Sequence, residues 1–163
     1  MRALILLAPL MLAACGSNDK TVTIKDGDGK DQTVTVSEDD STTTLKSEDG
    51  EAVIRQGDDA AKGAAFPDHA PQYPGSTVKT SANFSGKDGQ SGAMVVQETS
   101  DAPDKVLAFY RDKVKAAGKK VSMETTTPEG GMIAVEDPGG KGGMMIMVGR
   151  EGDKTQITYL AGQ

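Results

Sequence analysis

Few side chains in this sequence could carry out covalent or coordination chemistry. Its 163 residues hold one Cys, one His and no Trp. Cys15 is a nucleophilic sulfur placed directly after Leu12-Ala13-Ala14. His69 follows Asp68 in Phe66-Pro67-Asp68-His69-Ala70-Pro71, but it has no Cys partner and any Ser must come from elsewhere in the fold, so a solvated linker His is the preferred reading. Asp26-Gly27-Asp28-Gly29-Lys30-Asp31 is dense in carboxylates. Counted as an EF-hand loop from Asp26 it fails, with Lys30 at position 5, Asp31 at 6 and Ser37 at 12, which leaves a solvated hairpin turn. Met144-Met145-Ile146-Met147 offers thioethers, soft ligands that suit Cu(I). On a strand Met145 and Met147 share one face, Met144 and Ile146 the other, and Met94, Met123 and Met132 on other strands could join either group. With no His or Cys beside them, filling of an irregular core is the preferred reading. Gly139-Gly140-Lys141-Gly142-Gly143 lies between two strands, without the helix terminus that holds an anion, and reads as a hairpin connection. The chain therefore offers no catalytic constellation, no metal set and no cofactor site, and is read as a non-enzyme.

The N-terminus carries an address. Met1 and Arg2 make a minimal positive start, and Ala3 to Leu12 is an apolar run broken only by Pro9. That run is shorter than the roughly 20 residues needed to span a bilayer. A charged start, a short apolar centre and small residues before a cut site describe a secretory signal peptide. Leu12-Ala13-Ala14-Cys15 resembles the lipobox of bacterial membrane lipoproteins at all four positions. The resemblance implies diacylglycerol on the Cys15 thiol, cleavage between Ala14 and Cys15, and acylation of the new amine. One acyl chain anchors only marginally, whereas the three the family carries hold firmly. Gly16, where an Asp would favour inner-membrane retention in the enterobacterial rule, points to the outer membrane, facing the periplasm.

Behind the signal peptide, residues 15–20 read as anchor and tether. The next region is acidic: from Asn18 to Lys62 there are 12 Asp and Glu against 6 Lys and Arg, while from Gly63 to Gln163 the numbers are 12 and 11. The overall net charge of -6, with no basic groove, argues against nucleic acid. If Cys15 is lipidated, no cysteine remains for a disulfide. Residues 21–57 carry short β-branched pieces separated by Asp-Gly turns, a hairpin-meander pattern whose expected inner face is Val22, Ile24, Val34, Val36, Leu45 and Val53. Six side chains make a thin core, so this region needs a partner surface or stays partly disordered. Residues 58–72 show no periodicity and read as a linker.

From Tyr73 onward the pattern is clearer. Strands are expected at 76–84 and 93–99. A helix follows, opened by Asp101 as cap and Pro103 in its first turn, with a stripe of Val106, Phe109, Tyr110, Val114 and Ala117, Leu107 at its edge, and Gly118 as C-terminal cap. Further strands are expected at 120–126, 131–136, 143–148 and 155–160, separated by Pro- and Gly-containing turns. The order β-β-α-β-β-β-β makes residues 73–163 an α+β domain, an antiparallel sheet with one helix on one face. Tyr73-Pro74-Gly75, Asp101-Ala102-Pro103 and Phe109-Tyr110 resemble a pattern in uncharacterised bacterial lipoproteins, over about half the chain; the resemblance carries no assigned activity.

Together these features predict a lipid-anchored envelope protein with membrane contact through its anchor and an envelope protein as partner, acting as an interaction or structural module. The alternative is a periplasmic small-molecule or metal-binding module, with a hydrolase behind both. A deep pocket with converging polar groups would favour a small ligand, and a flat exposed apolar patch a protein partner.

Overall fold

The computed structural model describes residues 20–25, 27–36, 41–47, 50–87, 89–137 and 142–162. Ala14, Cys15 and Gly16 lie outside the described residues, as do Asp26 and residues 138–141 of the glycine-rich turn.

The fold is α+β, a large antiparallel sheet with its helices on one face. The strands are β1 Lys20–Lys25, β2 Asp31–Val36, β3 Thr42–Ser47, β4 Gly50–Gln56, β5 Thr77–Gly86, β6 Ser91–Thr99, β7 Val121–Thr127, β8 Gly130–Glu136, β9 Gly143–Glu151 and β10 Lys154–Gly162. A short helix α1, Ala60–Gly63, precedes β5, and α2, Pro103–Ala116, lies between β6 and β7. All ten strands join one sheet in the order β1-β2-β3-β4-β5-β6-β10-β9-β8-β7, and every pairing is antiparallel. From β5 onward the element order is the expected β-β-α-β-β-β-β. The first four strands continue the sheet through β4, which pairs with β5 from Gly50↔Gly86 to Gln56↔Thr80.

Strand period 2 divides the sheet into two faces. Directly paired residues share a face, so Val78, Gln97, Ile157, Val148 and Gly131 form one row under the helices, and Val95, Tyr159, Ile146 and Ile133 form the next. The buried stripe of α2 is Pro103, Val106, Leu107, Tyr110 and Val114. Leu107, expected at the edge, is fully buried, whereas Phe109 is only partly buried and Ala117 is exposed. Leu107 packs over Gly131 of β8, where an added Cβ would run into the Thr125 carbonyl oxygen of β7 and lie 2.9 Å from Leu107 Cδ1, so glycine there spares the neighbouring strand first and leaves room for the leucine as well. Phe109 is tipped to the rim, where it meets the rings of Tyr73 and Tyr110 edge-on, each at 5.1 Å between centroids.

The ends of α2 depart partly from expectation. Pro103 holds the first position, where its missing N–H is no loss, but the cap residue is Ala102 and no side chain caps it. Asp101 is engaged elsewhere. At the other end Gly118, at φ +66°, donates to the Lys115 carbonyl while Lys119 N–H donates to that of Val114, a Schellman closure that needs a left-handed residue.

Two further expectations are corrected. The 58–72 segment contains a 3-10 turn, Gly57–Asp59, and α1, and it buries Ala60 and Ala70. Its apolar residues are too few for periodicity, but the Ser81 hydroxyl donates to the Ala60 carbonyl and the Asn83 amide to that of Gly63, so polar groups of β5 hold α1 down. In the meander the register puts five of the six expected residues, Val22, Ile24, Val34, Val36 and Leu45, on one face and only Val53 on the other. Val22 is 56% and Ile24 49% exposed, and Leu45 pairs with Ala52, one residue out of phase with Val53, so Leu45 and Val53 point to opposite faces.

Leu107→Ala should therefore cost about 2–5 kcal/mol, the range for a buried leucine, and Phe109→Ala less than the roughly 3–5 kcal/mol of a buried phenylalanine. Urea unfolding of both variants checks the order; a larger loss at Phe109 would reverse the assigned helix rotation.

Candidate functional site

The helix-covered face contains the strongest polar cluster, centred on Gln97 in β6. Gln97 is fully buried in an otherwise apolar row. Its side-chain oxygen accepts from the Tyr73 N–H at 2.9 Å and from the Ser76 hydroxyl at 2.7 Å, and its amide donates to the Tyr110 hydroxyl at 3.3 Å. Tyr110 donates onward to the Pro71 carbonyl. Beside this cluster the Tyr73 hydroxyl donates to Asp101 Oδ2 at 2.8 Å, Lys105 reaches Asp101 Oδ1 at 2.9 Å, and the Thr155 hydroxyl donates to the Asp101 carbonyl at 2.6 Å.

Electrostatics follow from that packing. Burial, reinforced by the neighbouring Asp101 carboxylate, pushes the Tyr73 hydroxyl up to about 12. Burial pushes Tyr110 up to about 12 as well, against the opposing pull of the Gln97 amide. Lys105 first, then the Tyr73 hydroxyl, hold Asp101 below the usual carboxylate range. None of these shifts prepares a group for proton transfer near neutral pH. Every buried side-chain N or O atom among the described residues has a hydrogen-bond partner, so the cluster is a closed structural clasp with no group aimed at a ligand.

Two open depressions can be placed among the described residues. One, of about 290 Å³, lies at the β5–β6–β10 end beside Phe84, Gly92 and Ala161. The other, of about 510 Å³, lies where α2 runs into β7, beside Lys119, Lys120, Glu136 and Asp137, with Lys119 paired to Asp137 at 3.0 Å. Among the described residues no group of three or more His, Cys, Asp or Glu could hold a metal ion. His69, in the segment joining α1 to β5, is half-buried. Of the lysines near the end of α2, Lys115 and Lys120 are exposed and Lys113 lies over the Phe109 ring at 5.6 Å.

The opposite face of the sheet is different. Both helices lie on the Gln97 face, and among the described residues no helix covers the other. Paired residues across that face run Ile54, Ala82, Met94, Leu160, Met145, Ala134, Met123, with a second row of Val96, Thr158, Met147, Met132 and Thr125. Phe84, Met123 and Met147 are 45%, 55% and 38% exposed. The structure thus divides the Met run by face. Met144 is buried under α2 as core filler, while Met145 and Met147 lie on the open face and Met132 pairs directly with Met147. No helix among the described residues is long and apolar enough to cross a membrane.

Residues 78–155 are similar to the START domain-like family. That match runs from β5 into the start of β10, taking in α2, Gln97 and the open-face methionines but not Tyr73 or the four N-terminal strands. No curated protein matches the chain, and no solved structure does.

Tyr73 and Tyr110, the tyrosines pushed up to about 12, fix the sign of the alkaline response. Each binds its proton more tightly folded than unfolded, so its contribution is complete below about pH 10, the ordinary tyrosine value, and is lost as pH rises through about 12. Stability should fall between pH 10 and 12, and Tyr110→Phe should flatten that fall. Equal slopes for the variant and the parent in urea melts would remove Tyr110 as a source.

Proposed function

We propose that this chain is a non-catalytic binding module of the cell envelope, tethered by lipid on Cys15, with the open face of its sheet as the working surface. The observation that carries the reading is the apolar field around Phe84, Met94, Met123, Met145, Met147 and Leu160, which no helix among the described residues covers, set against a packed helix face whose buried side-chain polar atoms are all hydrogen-bonded. Large exposed apolar patches mark contact surfaces. The tether reading rests on the lipobox resemblance of Leu12-Ala13-Ala14-Cys15, with Gly16 favouring the outer membrane. From Cys15 to Lys20 the chain can span at most about 18 Å, at roughly 3.3–3.6 Å per residue. A lipid on Cys15 therefore keeps the β1 edge near the bilayer and leaves the β7 side of the sheet towards the periplasm.

A second reading, a small-molecule module, is favoured by the START domain-like match. A ligand between α2 and the sheet would have to displace Leu107 or Tyr110, both fully or almost fully buried. Such binding would quench or shift the Tyr110 signal, whereas a partner on the open face would leave it unchanged.

Cys15→Ser should move the protein from the membrane fraction to the soluble fraction or leave it unprocessed, and should abolish acyl labelling. A photo-crosslinking residue at Met123 should yield an adduct in intact cells, and the same residue at exposed Lys115 on α2 should not. A mature, unlabelled protein that still sediments with membranes would refute the anchor, and adducts at Lys115 alone would refute the surface.

A further inference from the structure

The pairing of β8 with β9 creates a cluster that no single stretch of sequence contains. Met132 stands directly opposite Met147, and Met145 lies two residues along β9 on the same face. Directly opposed residues hold their Cβ atoms about 4.5–5.5 Å apart, and residues i and i+2 of a strand are separated by roughly 6.6 Å. A thioether sulfur stands two bonds beyond Cβ on a chain with three rotatable torsions. Three sulfurs so placed can converge above the sheet on one point. The neighbours leave room for this: Ala134 faces Met145 across β8, and Thr158 flanks Met147 on β10. All three methionines are accessible to some degree, Met147 being 38% exposed and Met132 and Met145 half-buried.

We propose that Met132, Met145 and Met147 form a thioether site for Cu(I). Uncharged sulfur ligands with no carboxylate, imidazole or thiolate in the set select a soft monovalent cation over Zn²⁺, Mg²⁺ or Ca²⁺. The three groups come from two neighbouring strands of a packed sheet, so their backbone spacing is fixed before the ion arrives. The site occupies one corner of the open face and depends on neither the lipid anchor nor a protein partner. Met144, buried on the other face, takes no part.

The test uses the full chain in a Cys15→Ser background, because a free thiolate would itself capture Cu(I). Cu(I), kept reduced with ascorbate, is titrated against a chromophoric Cu(I) chelator while the methionine methyl resonances are followed by NMR. The proposal expects one equivalent bound and large shifts for the Met132, Met145 and Met147 methyls, with Met144 unmoved. Met→Leu is nearly volume-conserving, so the fold should survive. Each of M132L, M145L and M147L should weaken binding at least tenfold, while M94L, on the same face but two strands from Met145, should not. Should any of these variants fail to fold, the wild-type methyl shifts still decide the matter. No uptake of Cu(I), a weakening by M94L equal to that of the three, or shifts confined to other methionines would overturn the site.

Discussion

Burial of the Gln97 side chain is the constraint on which this fold depends. An amide removed from water costs free energy unless its oxygen and its N–H groups find partners. Here those partners come from two separate segments: the Tyr73–Ser76 turn, which supplies a backbone N–H and a hydroxyl, and Tyr110 on α2. Satisfying one side chain in β6 therefore fixes where the chain enters β5 and how far α2 sits above the sheet. Tyr110 extends the chain of bonds to Pro71, so the segment leading from α1 is fastened by the same hydroxyl. With the helix height set there, Leu107 packs over Gly131 of β8, whose missing side chain leaves room both for the leucine and for the Thr125 carbonyl of β7.

Once α2 and α1 occupy one face, the period of the strands determines what the other presents. An antiparallel sheet with one solvated face ordinarily alternates apolar and polar residues. β9 does not: Met144, Ile146 and Val148 point under the helix, yet Met145 and Met147 between them are also apolar. β6 repeats this with Val95 against Met94 and Val96. A strand apolar on both sides suits a sheet covered on both sides, and only one cover is present among the described residues. That mismatch is the physical basis for reading the open face as a surface with a task.

Much of this was legible in the sequence. The strand order, the Pro103 start and the Gly118 close of α2 follow from turn chemistry and periodicity within a few residues of each other, and those signals are local. The parts that escaped are non-local. Gln97 sits in an Ala93–Thr99 stretch where an exposed glutamine would look the same; only Tyr73, 24 residues earlier, distinguishes it. The burial of Leu107 over Gly131 of β8 joins residues 24 apart in sequence, and α1 is held by hydroxyl and amide groups of β5. The thioether trio was legible only in part for the same reason. Met145 and Met147 announce a shared face, but the register that adds Met132 belongs to β8, beyond a turn that periodicity cannot measure.

The edges of the sheet explain why apolar contact would be directed to its face. Open strand edges invite pairing with other chains unless they are bent, shortened or charged. β7, at one edge, is seven residues long, is bulged between Val121 and Met123, and is exposed from Ser122 to its end. It also carries Glu124, held by Arg111 of α2 at 2.7 Å. β1, at the other edge, is six residues long and ends at Lys25, which pairs with Asp31 of β2 at 2.7 Å. The β7 edge thus resists strand addition through irregular pairing and charge and the β1 edge through its shortness and terminal charge, while the middle of the open face around Met94, Leu160 and Met145 carries no charge at all. Association through side chains, with a face-on partner or a soft ion, is then favoured over association through backbone hydrogen bonds, and the sheet can present an apolar surface without offering itself as a template for its own copies.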